Sequence, residues 1–290
     1  MKGMARSLAL AGLILLSVVP AHAGGYLWIS SEFAGDCAPQ CIRRYNIGTG
    51  VIDLVTQPGL AGDVINNLAV DGSTLYLGQD DDIGFWKANP ITGVPFTFGS
   101  YVGAVTPSSL EDGAHRQSNN HLYRANYTSV AQRLIETDTD GNVLATYPVN
   151  DVNFLTGLEF IADQLYGTSL DGGTFGTIDF NGVDWDYTAI DLPAIPDGQL
   201  YGGLAYDQQD GILYMATTNQ ENAFLWTVDP NTGTAVLVKN LTTDSGYPSG
   251  GVLPDAMGWV AAAPEPATLL LLGLGLAGIG AAGWRQRRRP

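Results

Sequence analysis

The chain has 290 residues, 45% of them apolar and only 14% charged, with 37 glycines and 13 tyrosines. That length and apolar content suit one large domain or two ordinary ones and exclude extended disorder. With the first 23 residues and everything from Pro264 set aside, seven Lys and Arg stand against 28 Asp and Glu, a net charge of −21, so nucleic acid is excluded as a partner because its phosphates are repelled.

The opening segment places Lys2 and Arg6 ahead of an apolar run from Leu8 to Val19 and closes on Ala21-His22-Ala23. This is the layout of a secretory signal peptide with an A-x-A cleavage site, too short to span a bilayer, so residues 1–23 are expected to be removed after Ala23. In an exported chain Cys37 and Cys41, the only two cysteines, are expected to close a small disulfide loop.

From residue 24 to 262 the chain repeats itself. "LAVDGSTLYLGQ" around Leu75 and "LAYDQQDGILYMAT" around Leu213 each pair an L-A-x-D strand with an L-Y strand, and further L-Y strands stand at Leu122-Tyr123 and Leu165-Tyr166, with looser relatives at Leu27-Trp28 and Gly258-Trp259. These anchors lie 48, 47, 43, 48 and 46 residues apart. Each is followed by a hairpin pattern such as "FWKANPITGVPFTF" or "LWTVDPNTGTAVLV", where Asn or Asp starts the reversal and Gly supplies the positive φ. A four-stranded unit of about 40 to 50 residues is the blade of a β-propeller, and one such unit cannot bury both faces, so neighbours must stack and close. The predicted fold is therefore all-β and propeller-like, with an irregular β-sandwich as the alternative that a fixed period disfavours. Tyr76, Trp86, Tyr166, Tyr214 and Trp226 are expected to fill the spaces between blades. Five blades result if the C-terminal strands complete the blade begun at Tyr26. Six result if "SGGVLPDAMGWVAA" supplies an inner strand and a second strand of its own.

Within that body few residues suggest chemistry. Asp80, Asp81 and Asp82 form an acidic run, and Asp138 and Asp140 lie in "DTDGN", half of a calcium loop without the later Glu. Both are weak calcium candidates; the second occupies the same place as the "NPITG" and "DPNTG" turns and reads as a hairpin turn. No other cofactor is expected. His115, in "EDGAHRQSNNHLY", stands near Glu111, Asp112 and Arg116 in sequence and could face a propeller mouth. No G-x-S-x-G, H-E-x-x-H or P-loop pattern is present, and no catalytic residue is assigned. An enzyme is the less favoured reading.

The chain ends in "APEPATLLLLGLGLAGIGAAGWRQRRRP". Ala267 to Trp284 is 18 residues without a charge, about 27 Å as a helix, enough to span a membrane core. Arg285, Arg287, Arg288 and Arg289 follow and hold that end in the cytoplasm, leaving the body outside. Pro264 and Pro266 keep Ala263 and Glu265 extended, a backbone that a protease can thread.

The order Pro264-Glu265-Pro266, apolar helix, arginine cluster resembles the PEP-CTERM sorting signal of exported bacterial proteins, a tail also labelled ice-binding protein C-terminal domain. The resemblance implies a partner, the membrane-embedded protease exosortase, which recognises the tripeptide and removes the helix. It implies a membrane-anchored precursor and then a place at the cell surface or in extracellular polysaccharide. Two functions fit such a body: a non-enzymatic propeller binding polysaccharide or another exported protein, or a propeller hydrolase or lyase acting on a glycan or lactone. Ice binding is disfavoured because the body lacks short regular Thr-rich repeats.

Overall fold

The computed structural model describes residues 24–30, 41–56, 65–79, 84–102, 110–128, 131–248 and 253–262. The strands, in chain order, are β1 (Tyr26–Ser30), β2 (Ile42–Asn46), β3 (Val51–Thr56), β4 (Ile65–Val70), β5 (Leu75–Gln79), β6 (Gly84–Ala88) and β7 (Pro95–Ser100). They continue with β8 (Leu110–Arg116), β9 (His121–Thr128), β10 (Ala131–Asp138), β11 (Val143–Asn150), β12 (Leu155–Ile161), β13 (Gln164–Ser169), β14 (Thr174–Phe180) and β15 (Trp185–Ile190). Last come β16 (Leu200–Asp207), β17 (Ile212–Thr218), β18 (Ala223–Asp229), β19 (Thr234–Asn240), the short helix α1 (Leu241–Ser245) and β20 (Met257–Val260).

The molecule is all-β and propeller-like, built from antiparallel four-stranded units. The first unit is β20-β1-β2-β3, the second β4 to β7, the third β8 to β11, the fourth β12 to β15 and the fifth β16 to β19. Their leading strands touch in cyclic order, β4 to β8 to β12 to β16 to β20 and back to β4, which is a ring and not two facing sheets. Backbones meet closely along it: a Cβ at Gly157 would collide with the Gly202 carbonyl, and one at Gly202 with that of Pro254. Only glycine permits that approach.

The turns use the chemistry that their sequences advertise. Asn89 Oδ1 accepts the N–H groups of Ile91 and Thr92 at 2.8 and 3.0 Å in "NPITG", and Asp229 Oδ1 accepts that of Asn231 at 2.9 Å in "DPNTG". Gly93 and Gly233 then take φ of 67° and 68°. Each Asx side chain thus replaces a ladder bond just where the strand must reverse.

The core divides as the ring does. Five apolar clusters each straddle neighbouring units: Trp28 and Ile42 with Leu68 and Leu77, Tyr76 and Phe85 with Leu122, Tyr123 and Leu134 with Leu158 and Phe160, Tyr166 and Phe175 with Leu204 and Trp226, and Tyr214 and Leu225 with Leu27 and Tyr45. The expected aromatics lie in these seams, Tyr76, Tyr166, Tyr214 and Trp226 buried and Trp86 packed against the first. No unit buries its own faces, so each depends on its neighbours.

One sequence expectation is corrected. Trp259 does not belong to an L-Y strand: it lies on β20 opposite Leu27, whose own strand β1 holds the second position of that sheet. The C-terminal segment therefore supplies the leading strand that the N-terminal segment lacks, and the 46-residue step from 213 to 259 matches the period by coincidence of loop length. The signal peptide, Cys37, Asp80 to Asp82 and the tail from Ala263 lie outside the described residues.

Candidate functional site

The junction of the third and fourth units differs from the others. Here the outermost strands pair across the seam: β11 meets β15 in parallel, Val149 opposite Trp185 and Asn150 opposite Asp186, with Asn150 Nδ2 donating to Asp186 Oδ1 at 2.8 Å. The hairpin before β15 sets two rings side by side. Asn181 Oδ1 accepts the N–H groups of Val183 and Asp184, both at 3.0 Å, Gly182 takes a φ of 103°, and Phe180 and Trp185 face each other as a cross-strand pair.

Below that pairing lies a groove of about 310 Å³, with an aromatic wall of Phe180, Trp185, Tyr147 and Tyr123 and a polar wall of Arg116, Asn119, Glu136, Asp163, Gln164 and Asp179. The rings form a connected set: Tyr147 to Phe180 is 5.5 Å, Phe180 to Trp185 5.3 Å and Tyr147 to Trp185 6.3 Å between centroids. Phe180 remains 49% exposed, whereas Trp185 is 6% exposed and its indole N–H is buried without an acceptor.

Glu136 anchors the polar wall. Its Oε1 accepts from the Tyr123 hydroxyl at 2.6 Å, His121 Nδ1 at 2.7 Å and Asn119 Nδ2 at 3.3 Å, and its Oε2 accepts from the Tyr147 hydroxyl at 3.0 Å. Burial alone would raise its pKa, but the donors from Tyr123, His121 and Tyr147 outweigh that and hold it below the usual carboxylate value. The carboxylate is thus ionised at neutral pH, and burial together with that charge pushes the Tyr147 hydroxyl up to about 12. Asp163 is kept low by Ser118 and Arg116, whose Nε donates to its Oδ1 at 3.0 Å.

The sequence candidates fare differently. Asp138 and Asp140 are placed in a hairpin turn: Asp138 Oδ1 accepts the N–H groups of Asp140 and Asn142 at 2.9 and 2.8 Å, and Asp140 pairs with Lys87 at 3.0 Å. Among the described residues no group of His, Cys, Asp and Glu could hold a metal ion. His115 lines a cavity of about 270 Å³ with Phe160 and Tyr206, at the ends of β8, β12 and β16, and its Nε2 is 2.9 Å from Asn120 Oδ1. Its sequence neighbours turn elsewhere. Arg116 goes to Asp163, and Asp112 is fully buried, its two oxygens accepting the N–H groups of Leu68 at 3.3 Å and Leu158 at 3.2 Å and so tying three leading strands together. Cys41 is buried and is not a free thiol. The signal-cleavage residues Ala21 and Ala23, the tripeptide Pro264 to Pro266 and the tail arginines are outside the described residues, and among those described no helix is long and apolar enough to cross a membrane.

Ring and groove together define a propeller-like all-β protein with a groove along the seam between its third and fourth units. Solved structures agree on the fold: the chain is similar to a chain of the nidogen/laminin complex (12% identity, TM-score 0.50, covering 81% of this chain and 98% of that one). It is similar as well to a Bacteroides caccae protein of unknown function (11%, 0.51, 81% and 98%) and to Myxococcus xanthus glutaminyl cyclase (16%, 0.51, 68% and 86%). At such identities the likeness concerns fold alone. No curated protein matches the chain. Residues 262–289 carry the PEP-CTERM protein-sorting motif, the mark of an exported protein handed to exosortase.

Proposed function

We propose that this is an exported surface or matrix protein whose body is a five-bladed, non-enzymatic propeller that binds polysaccharide through the groove between its third and fourth blades. A signal peptide of residues 1–23 directs export. The helix 267–284 and its arginines hold the precursor in the membrane until exosortase cuts at Pro264-Glu265-Pro266. Cys37 and Cys41 form a disulfide. Because β20 ends at Val260, ahead of the tripeptide, such a cut leaves every strand of the ring in place.

The commitment of Glu136 carries the choice of binding over hydrolysis. A glycosidase needs one carboxyl free to give a proton and a second to act as base or nucleophile. In the groove the Glu136 carboxylate is taken by four donors and Asp163 by a serine and an arginine, which leaves the exposed Asp179 without a second free carboxyl to work with. Intact mass of the protein isolated from its own cells tests the processing. The expected species starts at Gly24, lacks the tail arginines and is two hydrogens lighter than the reduced chain; a species retaining Arg285 to Arg289 in cells with active exosortase contradicts it.

A further inference from the structure

Resting on the binding role proposed above, we infer that the groove recognises an uncharged pyranose polymer, stacking a sugar ring on Phe180 and bonding its hydroxyls along the Arg116–Asp163 wall.

Aromatic side chains backed by fixed hydrogen-bonding groups suit a ligand with an apolar face and a polar rim. A pyranose is such a ligand: axial C–H bonds make its faces apolar while hydroxyls project around its edge. Phe180 is a large ring left half in water, at 49% exposure, and Tyr147 meets it edge-on at 71°. Beside a polar wall, such a ring gives a ligand an apolar face to cover.

Charge selects the class. Glu136 and Asp163 are both held ionised, while the groove offers Arg116 as its cation, already paired with Asp163. A uronate or sulfated chain would bring its charge toward this excess of carboxylate and toward an acidic body. Of the groove's three carboxylates, Glu136 and Asp163 have their lone pairs taken up by Tyr123, His121, Tyr147, Ser118 and Arg116, and the exposed Asp179 is an acceptor for ligand hydroxyls. Neutral hydroxyls, which both donate and accept, fit what is left. Gln164 shows the pattern: its amide nitrogen donates to the carbonyls of Leu165 and Ile178 at 3.0 and 3.3 Å, which leaves its Oε1 to accept.

Affinity electrophoresis of the processed protein separates the possibilities, with gels containing neutral glycans (dextran, pullulan and galactomannan), alginate or chitosan. Retardation by a neutral glycan is expected, weakened about tenfold in Phe180→Ala, the upper range for loss of one stacking contact of about 1.4 kcal/mol, and unchanged in Val236→Ala on exposed β19. Retardation by alginate or chitosan with none by the neutral gels overturns the charge assignment and leaves the binding role standing. Neutral-glycan retardation that Phe180→Ala does not weaken overturns the location. Migration unaffected by every gel overturns both.

Discussion

The seam between the fifth and first units and the seam between the third and fourth units are built from the same repeat and do opposite things. The first is sealed. Leu27 and Ile29 of β1 lie against Tyr214, Ala216 and Leu225, Met257 of β20 completes the cluster, and small side chains at Ala205, Ala216 and Ala223 let the sheets approach. Its outer end is capped by α1, where Asn240 accepts the Thr243 N–H at 3.0 Å, Gly246 turns the chain at a φ of 80°, and Ser245 Oγ reaches across to the Gly50 carbonyl at 3.1 Å. The other seam is joined at its outer edge through β11 and β15, and larger rings with a buried carboxylate line a groove beneath that joint. A repeat fixes where strands go; the side-chain volumes at matching positions decide whether a seam closes or opens.

The sealed seam is the place to break the ring. Tyr214→Ser removes a ring that is 4% exposed from the cluster joining the first and last units, and a loss of about 2 to 4 kcal/mol is expected. Urea unfolding of the body measures it, and a loss that size is a large part of an ordinary domain's stability. Phe180→Ala, in the open seam, should shift the same midpoint far less, since that ring is half exposed.

A subtler contrast lies along the leading strands. Opposite the repeated tyrosines of the second strands stand Ala69, Ala114 and Ala205, but opposite Tyr166 stands Glu159. Its oxygens accept the N–H groups of Phe160 at 2.9 Å and of Tyr206, across the seam in the fifth unit, at 3.0 Å, and burial pushes its pKa up to about 8. An unfolded glutamate titrates near ~4.3. Between those two values the folded state holds more protons than the unfolded one, so this residue's contribution is full below about pH 4 and lost as pH rises through about 8. Unfolding midpoints compared at pH 5 and pH 8 should converge in Glu159→Ala, relative to the parent; an unaltered difference would mean that Glu159 does not titrate in that window.

Much of the ring could be read from the sequence because its signals are local. Alternating strands, Asx-Gly turns and a period near 46 residues each require only neighbouring residues to be seen, and the aromatics expected between units are found there. What was missed depends on partners far along the chain. Trp259 looked like another second strand because its neighbour in the sheet, β1, lies at the other end of the sequence. Glu136 and Trp185 looked like ordinary strand residues; only the docking of β11 on β15 makes them walls of one groove. Arg124, which no local pattern singles out, is 1% exposed, between Phe85 and Tyr101 at 4.6 and 4.9 Å, with its pKa pulled down to about 9 by burial. Aligning the repeats against one another would have exposed Glu159, the one carboxylate in a column of alanines.

Ring closure by β20 is tested most directly by comparing the cooperative urea unfolding of the body ending at residue 262 with that of a chain ending at residue 252. The shorter chain loses the ladder from Tyr26–Val260 to Ile29–Met257 together with Ala256, Met257 and Val260 from two seams, and leaves an open stack with exposed strand edges. It is expected to show no cooperative transition, or one at a much lower midpoint. An unchanged midpoint in the shorter chain would contradict a ring closed by its last strand.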